Sequence, residues 1–114
     1  MPSHFKKRLE QQILEELTDL VSQDVKDPAV QDLVFTGVEL NVDLSVARVF
    51  YMPPAGGDED GTAEGLERSK GFLRGSLGRR LALKESPELR FRVDDSLDRA
   101  QRLDELLDED GKGD

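Results

Sequence analysis

The side chains with the most chemistry to offer in this sequence are cations. Between Leu66 and Arg92 stand Arg68, Lys70, Arg74, Arg79, Arg80, Lys84, Arg90 and Arg92, against Glu67, Glu85 and Glu88. That stretch carries a net +5 in a chain whose formal net charge is −9. A smaller group, Lys6-Lys7-Arg8, stands near the N-terminus. Clustered Lys and Arg hold phosphate, through charge and, for Arg, through a forked set of N–H donors. Local potential governs such binding more than net charge does. The competing reading is a solvated helix face whose arginines pair with Glu67, Glu85 or Glu88. Exposed pairs of that kind contribute about 0–1 kcal/mol, too little to explain why charge gathers there.

Other chemistries lack their residues. The chain has one histidine, His4, and no cysteine, which excludes disulfides, thiolate metal sites and cysteine nucleophiles. No G-x-S-x-G, Walker A or H-E-x-x-H run is present. Asp and Glu total 25, so carboxylate pairs are everywhere and none is singled out for acid–base work, which needs a shifted pKa in a cleft. Asp58, Glu59 and Asp60 lack the spacing of an EF-hand loop. The glycines at 56–57, 71, 75 and 78 do not form a dinucleotide fingerprint after a strand. The expectation is a protein that is not an enzyme and needs neither metal nor cofactor. Gly75-Ser76-Leu77-Gly78 is literally G-x-x-G, the loop that clamps nucleic-acid backbone in KH domains. Leu77 falls on an apolar helical stripe, however, so the match is read as accidental.

Few elements are available to position these cations. The 114 residues fit one domain. No apolar run approaches the roughly 20 residues that cross a bilayer, and Met1 to Lys7 has no apolar segment of a secretory signal. A cytoplasmic protein without a membrane partner is expected. A first helix is predicted from His4 to Asp24, because Phe5, Leu9, Ile13, Leu14, Leu17, Leu20 and Val21 recur at steps of three and four. Ser3 would cap it, and Asp27-Pro28 would end the segment. Two strands follow, Leu33–Val42 with Val34, Thr36, Val38, Leu40 and Val42 on one face, and Val46–Met52, joined as a hairpin through Asp43-Leu44-Ser45. Arg48 is read as an outward charge, and Phe50 and Tyr51 as packed aromatics. Pro53–Gly61 reads as a loop. A helical region from Ala63 to Leu83 carries Leu66, Leu73, Leu77 and Leu81 on one side. Its glycines at 71, 75 and 78 each cost about 1 kcal/mol relative to alanine, so a kink or break near Gly71, giving two helical pieces, is expected. A third strand alternates Leu89, Phe91 and Val93 with charges. Ser96 would cap a last helix with Leu97, Ala100, Leu103, Leu106 and Leu107 as its stripe. Asp108–Asp114 would be a frayed acidic tail. A helical crossover into the third strand favours parallel pairing, which gives an α+β mixed sheet with helices on one face.

Asp27-Pro28, Asp43-Leu44-Ser45 with Ala47-Arg48-Val49, Gly71-Phe72-Leu73-Arg74, Pro87-Glu88-Leu89-Arg90-Phe91 and Asp94-Asp95-Ser96-Leu97 stand in an order and at spacings that resemble the ribosome-binding factor A family, over about Phe5 to Leu107. The resemblance implies a single type II KH-like domain (α-β-β-α-kink-α-β) over residues 1–107, with a C-terminal helical extension and the acidic tail 108–114 behind it. It implies that an Ala-x-Gly kink replaces the G-x-x-G loop, here Ser69-Lys70-Gly71, with Ser69 where alanine is usual. It also implies transient binding to immature 30S subunits, help in maturing the 5′ region of 16S rRNA, and a cold-adaptation role. A ribosome-assembly GTPase is a further partner left open, and a monomer is expected. The RNA-facing surface would be Arg74, Arg79, Arg80 and Lys84 along the helical pair, Lys70 at the kink, Arg90 and Arg92 on the third strand, and Lys6, Lys7 and Arg8 as a second contact. The rival class is an acidic protein-interaction module or homodimerising adaptor that does not bind RNA directly.

Overall fold

A stripe of aliphatic side chains at helical spacing starts the fold. Helix α1 spans Pro2–Gln23. Pro2 takes a first-turn position, where its missing N–H leaves no helical bond unmade. The helix therefore begins ahead of Ser3, which lies in the first turn instead of capping it. Leu9, Ile13, Leu17, Leu20 and Val21 are buried as the periodicity requires. Asp27-Pro28 does more than end the segment, because it nucleates a 3-10 turn, Pro28–Val30. Asp27 Oδ1 accepts from the Ala29 N–H at 3.0 Å, and Val30 is driven fully into the core.

The computed structural model describes residues 2–95. The helix expected after Ser96 and the acidic tail lie outside the described residues. Strand β1 (Val34–Leu40) pairs antiparallel with β2 (Val46–Met52), and β2 pairs parallel with β3 (Glu88–Val93), in the order β1-β2-β3. The hairpin, the parallel return and the mixed sheet agree with the sequence. The expected face of β1 does not hold along its whole length. A bulge between Phe35 and Gly37 adds a residue, and one residue reverses a two-residue alternation. Phe35 turns into the core, Val34 and Thr36 turn out, and Val38 and Leu40 resume the inward face. Val42 lies beyond the strand and is 94% exposed.

Helix α2 spans Glu59–Arg80. It begins earlier than the expected Ala63 because Glu59 and Asp60 form its first turn, where carboxylates oppose the positive end of the helix dipole. The expected division near Gly71 is corrected: residues 59–80 are one helix, and Gly71 keeps a negative φ. Leu66, Leu73 and Leu77 are fully buried, and that burial outweighs the propensity cost of the glycines. Gly75-Ser76-Leu77-Gly78 is helical with Leu77 in the core, so it is not a loop. Gly65 packs α2 tightly against the Pro28–Val30 turn, since a Cβ there would stand 2.9 Å from Val30 Cγ1 and 3.0 Å from Ala29 Cβ. The helix ends in a Schellman pair, Leu83 N–H to Gly78 C=O at 2.9 Å and Ala82 N–H to Arg79 C=O at 3.3 Å. That motif needs a left-handed residue, and Ala82 supplies it at φ 52°.

The inward side chains of the sheet, among them Val38, Leu40, Ala47, Val49, Tyr51 and Leu89, join those of both helices in one core. The layout is two-layered α+β in the KH-like order, with one helix, residues 59–80, where that reading has a kinked pair. Among the described residues no helix is long and apolar enough to cross a membrane.

Candidate nucleic-acid interface

The ten candidate cations do not form one patch. On α2, Arg74 and Arg80 leave on opposite flanks. Arg74 turns towards the entrance of β3, where its Nε and Nη2 donate to the Ser86 carbonyl at 3.1 and 3.0 Å. The Ser86 hydroxyl returns a bond to the Arg74 carbonyl at 2.8 Å. Arg80 turns towards α1, where Nη1 meets Glu16 at 3.2 Å and Nη2 meets Asp24 at 3.0 Å. Arg80 is thus tied across the two helices by carboxylates and is not laid out for phosphate. Its partners are not the glutamates nearest in sequence but acids that the helix crossing brings in. Arg79 is exposed and donates only to Ser76 Oγ, at 3.2 Å, among the contacts of the described residues. Lys70 pairs with Glu67 at 2.8 Å. Lys84 is exposed on the loop beyond the helix and makes no ion pair among the described residues.

Arg90 and Arg92 lie on the other side of the sheet. Leu89 and Phe91 point to the helices, so the residues between them point away. Register places Arg90 beside Arg48 and Arg92 beside Phe50. Arg90 reaches Glu88 at a loose 3.5 Å, and Arg92 donates to the Phe91 carbonyl at 3.1 Å. Arg48 belongs with these two, and the sequence reading left it out. The signal that finds it is the parallel register of β2 and β3, which no local pattern in the sequence shows.

A third grouping gathers at one end of the molecule around the β1–β2 turn. The turn is built by its own side chains. Asp43 Oδ1 accepts from the Ser45 N–H at 3.1 Å and from the Ser45 hydroxyl at 2.6 Å, and Asn41 Oδ1 accepts from the Val46 N–H at 2.9 Å. The Ser45 hydroxyl, followed by the Ser45 N–H, holds the Asp43 carboxyl below its ordinary value. Leu44 takes φ 64° at the tip. On one side of this turn a groove of about 680 Å³ is lined by Asp43, Leu44, Ser45, Gly71, Arg74, Gly75, Glu85 and Ser86. A Cβ on Gly71 would meet nothing within 4 Å, and one on Gly75 would meet only Arg79 Nη1, at 3.4 Å. The helical wall of the groove is therefore bare backbone, with the Arg74 guanidinium fixed beside it. On the other side, a second groove of about 560 Å³ runs between α1 and the β1 edge, with Phe5, Lys6, Lys7 and Arg48 among its lining. There the Glu10 carboxylate accepts the edge N–H of Leu40 at 2.8 Å. Leu44 lines both grooves. Lys6, Lys7, Arg48 and Arg74 thus share one end of the fold, and Arg80 does not.

Ser69 and Gly71, expected to bend the helix, sit within it. Gly71 leaves a missing side chain at the groove wall.

The model of the ribosome-binding factor A family matches residues 5–107. A ribosome-binding factor A of Methylobacillus flagellatus is 46% identical over 103 residues, covering 90% of this chain and 81% of that protein. Among solved structures, the crystal structure of ribosome-binding factor A from Thermus thermophilus superposes with a TM-score of 0.71 at 30% identity, covering 77% of this chain and 94% of that one. A homology model of the Thermus thermophilus factor, fitted into the cryo-electron-microscopy map of its 30S complex, gives a TM-score of 0.66 at 30% identity, over 77% of this chain and 93% of that one.

Proposed function

The chain belongs to the ribosome-binding factor A family, and from that premise we propose that it binds the immature 30S ribosomal subunit and assists maturation of the 5′ region of 16S rRNA. It acts as a monomer, through contacts to the phosphate backbone, without a cofactor or a reaction of its own. The likeness to a factor fitted into the map of a 30S complex supports the partner. The observation that carries the surface is the bare helix wall at Gly71 and Gly75, facing the Asp43–Ser45 turn with Arg74 between them. A sugar–phosphate chain can approach helical backbone closely only where side chains are missing, and a fixed guanidinium beside that gap supplies charge without ordering cost. Arg79, whose guanidinium reaches the Gly75 wall, continues the cationic rim, and Lys6 and Lys7 in the neighbouring groove extend it past the turn. Asp43 and Glu85 on the same rim favour a shape-led contact over indiscriminate attraction to polyanions.

Such contacts position the fold and read few bases. If about four phosphates are neutralised, affinity falls with log salt at a slope of roughly −3. The test is co-sedimentation with immature 30S subunits. Gly71→Glu fills open space on a helix, so the fold stands, but it sets an acid in the groove and should abolish co-sedimentation. Gly71→Ala adds one uncharged methyl to that wall and should weaken co-sedimentation far less. Undiminished co-sedimentation of Gly71→Glu excludes this surface.

A further inference from the structure

The sheet has a second face, turned away from both helices, and an aromatic side chain stands at its centre. Tyr51 is buried as a packed aromatic. Phe50 alternates to the outer side instead and is only partly buried. Its partners in register are Gly37 on β1 and Arg92 on β3. A Cβ on Gly37 would meet nothing within 4 Å, so the place beside Phe50 is open. Gly37 adjoins the β1 bulge but keeps a φ outside the left-handed region, so the bulge does not demand glycine. A glycine inside a strand weakens it, and where the backbone does not require one it suits close approach by another molecule.

Cations adjoin that place. Arg48 lies directly beside Arg90, and Arg92 follows two residues along β3. All three are exposed. Like charges side by side on a sheet repel, yet little offsets them here. Arg48 makes no ion pair among the described residues, and Arg90 has only the loose 3.5 Å contact with Glu88. The carboxylates of this face stand at its margins: Glu39 on the edge strand β1, Glu88 where β3 begins, and Asp94 past its end, held by the Thr36 hydroxyl. Two adjacent guanidinium groups can fork one phosphate. Arg90 and Arg92 are roughly 6.6 Å apart along the strand, a step that an extended sugar–phosphate chain can follow.

We propose that this sheet face is a second nucleic-acid surface, specific for single-stranded RNA. One base stacks on Phe50 in the place that Gly37 leaves open, and Arg48, Arg90 and Arg92 hold the phosphates on either side of it. A ring for the base and cations for the backbone is the combination that grips single strands without reading sequence. A duplex keeps its bases stacked inside and cannot offer one to Phe50. An acidic peptide could use the arginines but has no flat group for the place beside the ring. The surface shares no residue with the groove wall at Gly71 and Gly75, so the two readings stand or fall separately. With both in use, the domain would hold two RNA segments on opposite sides of its sheet.

The test is an NMR titration of the isotope-labelled full chain with a short oligouridylate. The Gly37, Arg48 and Arg92 amides and the Phe50 ring signals should shift, and the uracil protons should move upfield in the ring current. Gly37→Val fills the open place with a residue that favours strands. Its urea midpoint should hold or rise while affinity falls at least about fivefold, the lower bound for one stacked base. Arg48→Gln with Arg90→Gln should also weaken binding and flatten its dependence on salt. Gly71→Glu, in the groove on the other side, should leave the sheet-face shifts in place. Wild-type affinity in a folded Gly37→Val overturns the proposal, as do shifts confined to the groove or lost in Gly71→Glu. Equal binding of duplex RNA, or polyglutamate that reproduces the sheet-face shifts, overturns it too, since charge alone would then account for the contact.

Discussion

The same substitution at two glycines of α2 should change stability in opposite directions. At Gly71 a Cβ meets nothing within 4 Å and the backbone is helical without a positive φ. Gly71→Ala then collects the helix-propensity difference alone, about 1 kcal/mol of stabilisation. For a domain of this size that raises Tm by roughly 4–8 °C. At Gly65 the new Cβ would stand 2.9 Å from Val30 Cγ1 and 3.0 Å from Ala29 Cβ. Neither neighbour yields easily. Val30 is fully buried and stiff at χ1, and Ala29 Cβ moves only with the backbone that Asp27 caps. Overpacking of this kind costs about 1–3 kcal/mol. Set against the same propensity gain of about 1 kcal/mol, Gly65→Ala should be neutral to destabilising by about 2 kcal/mol. Urea titrations followed by circular dichroism give both values, with unchanged m confirming that only stability moved. If Gly71→Ala destabilises, α2 is bent at that residue and needs glycine there. If Gly65→Ala stabilises as much as Gly71→Ala, the helix is not held against the Pro28–Val30 turn.

Other expectations follow from particular residues. Ala82 holds a left-handed φ of 52°, so Ala82→Gly should stabilise by about 0.5–1 kcal/mol, read as a higher urea midpoint. The Ala29 N–H first, then Arg68, holds the Asp27 carboxyl below its ordinary 3.8. Its contribution is therefore present above that value and lost as pH falls through the lower folded pKa. NMR titration should find its midpoint below 3.8, and Arg68→Gln should move the midpoint up. Burial first, then Glu59 and Glu67, raises the Tyr51 phenol above its ordinary 10.0. The stability tied to the neutral ring is present below 10.0 and lost as pH rises through the raised value. Because Tyr51 is the only tyrosine, ultraviolet titration should show one ionisation above 10.0 that returns to 10.0 in urea.

Period-two and helical patterns were legible where nothing interrupted them. Strand β2 runs Val46–Met52 as its alternation demands. Strand β1 was readable only past the bulge, because the added residue at Thr36 leaves no mark in composition. The glycines of α2 read as a break because propensity counts local cost, while the leucines that offset it are repaid in the tertiary core. Of the site, the sequence showed that cations gather but not where they point. Whether Arg80 meets phosphate or Glu16 and Asp24 depends on how two helices cross. Whether Arg48 joins Arg90 depends on a parallel register. The groove itself was hidden because glycine leaves its space by having no side chain, and a sequence reads that absence as flexibility.

The groove reading is tested most directly by attaching a short photocrosslinker through Gly75→Cys, on a chain that has no other cysteine, and irradiating the protein bound to immature 30S subunits. Covalent adducts to 16S rRNA from this position, with none from a matched Glu64→Cys on the same helix, are predicted. Adducts to ribosomal protein alone from position 75, or to rRNA only from position 64, would contradict it.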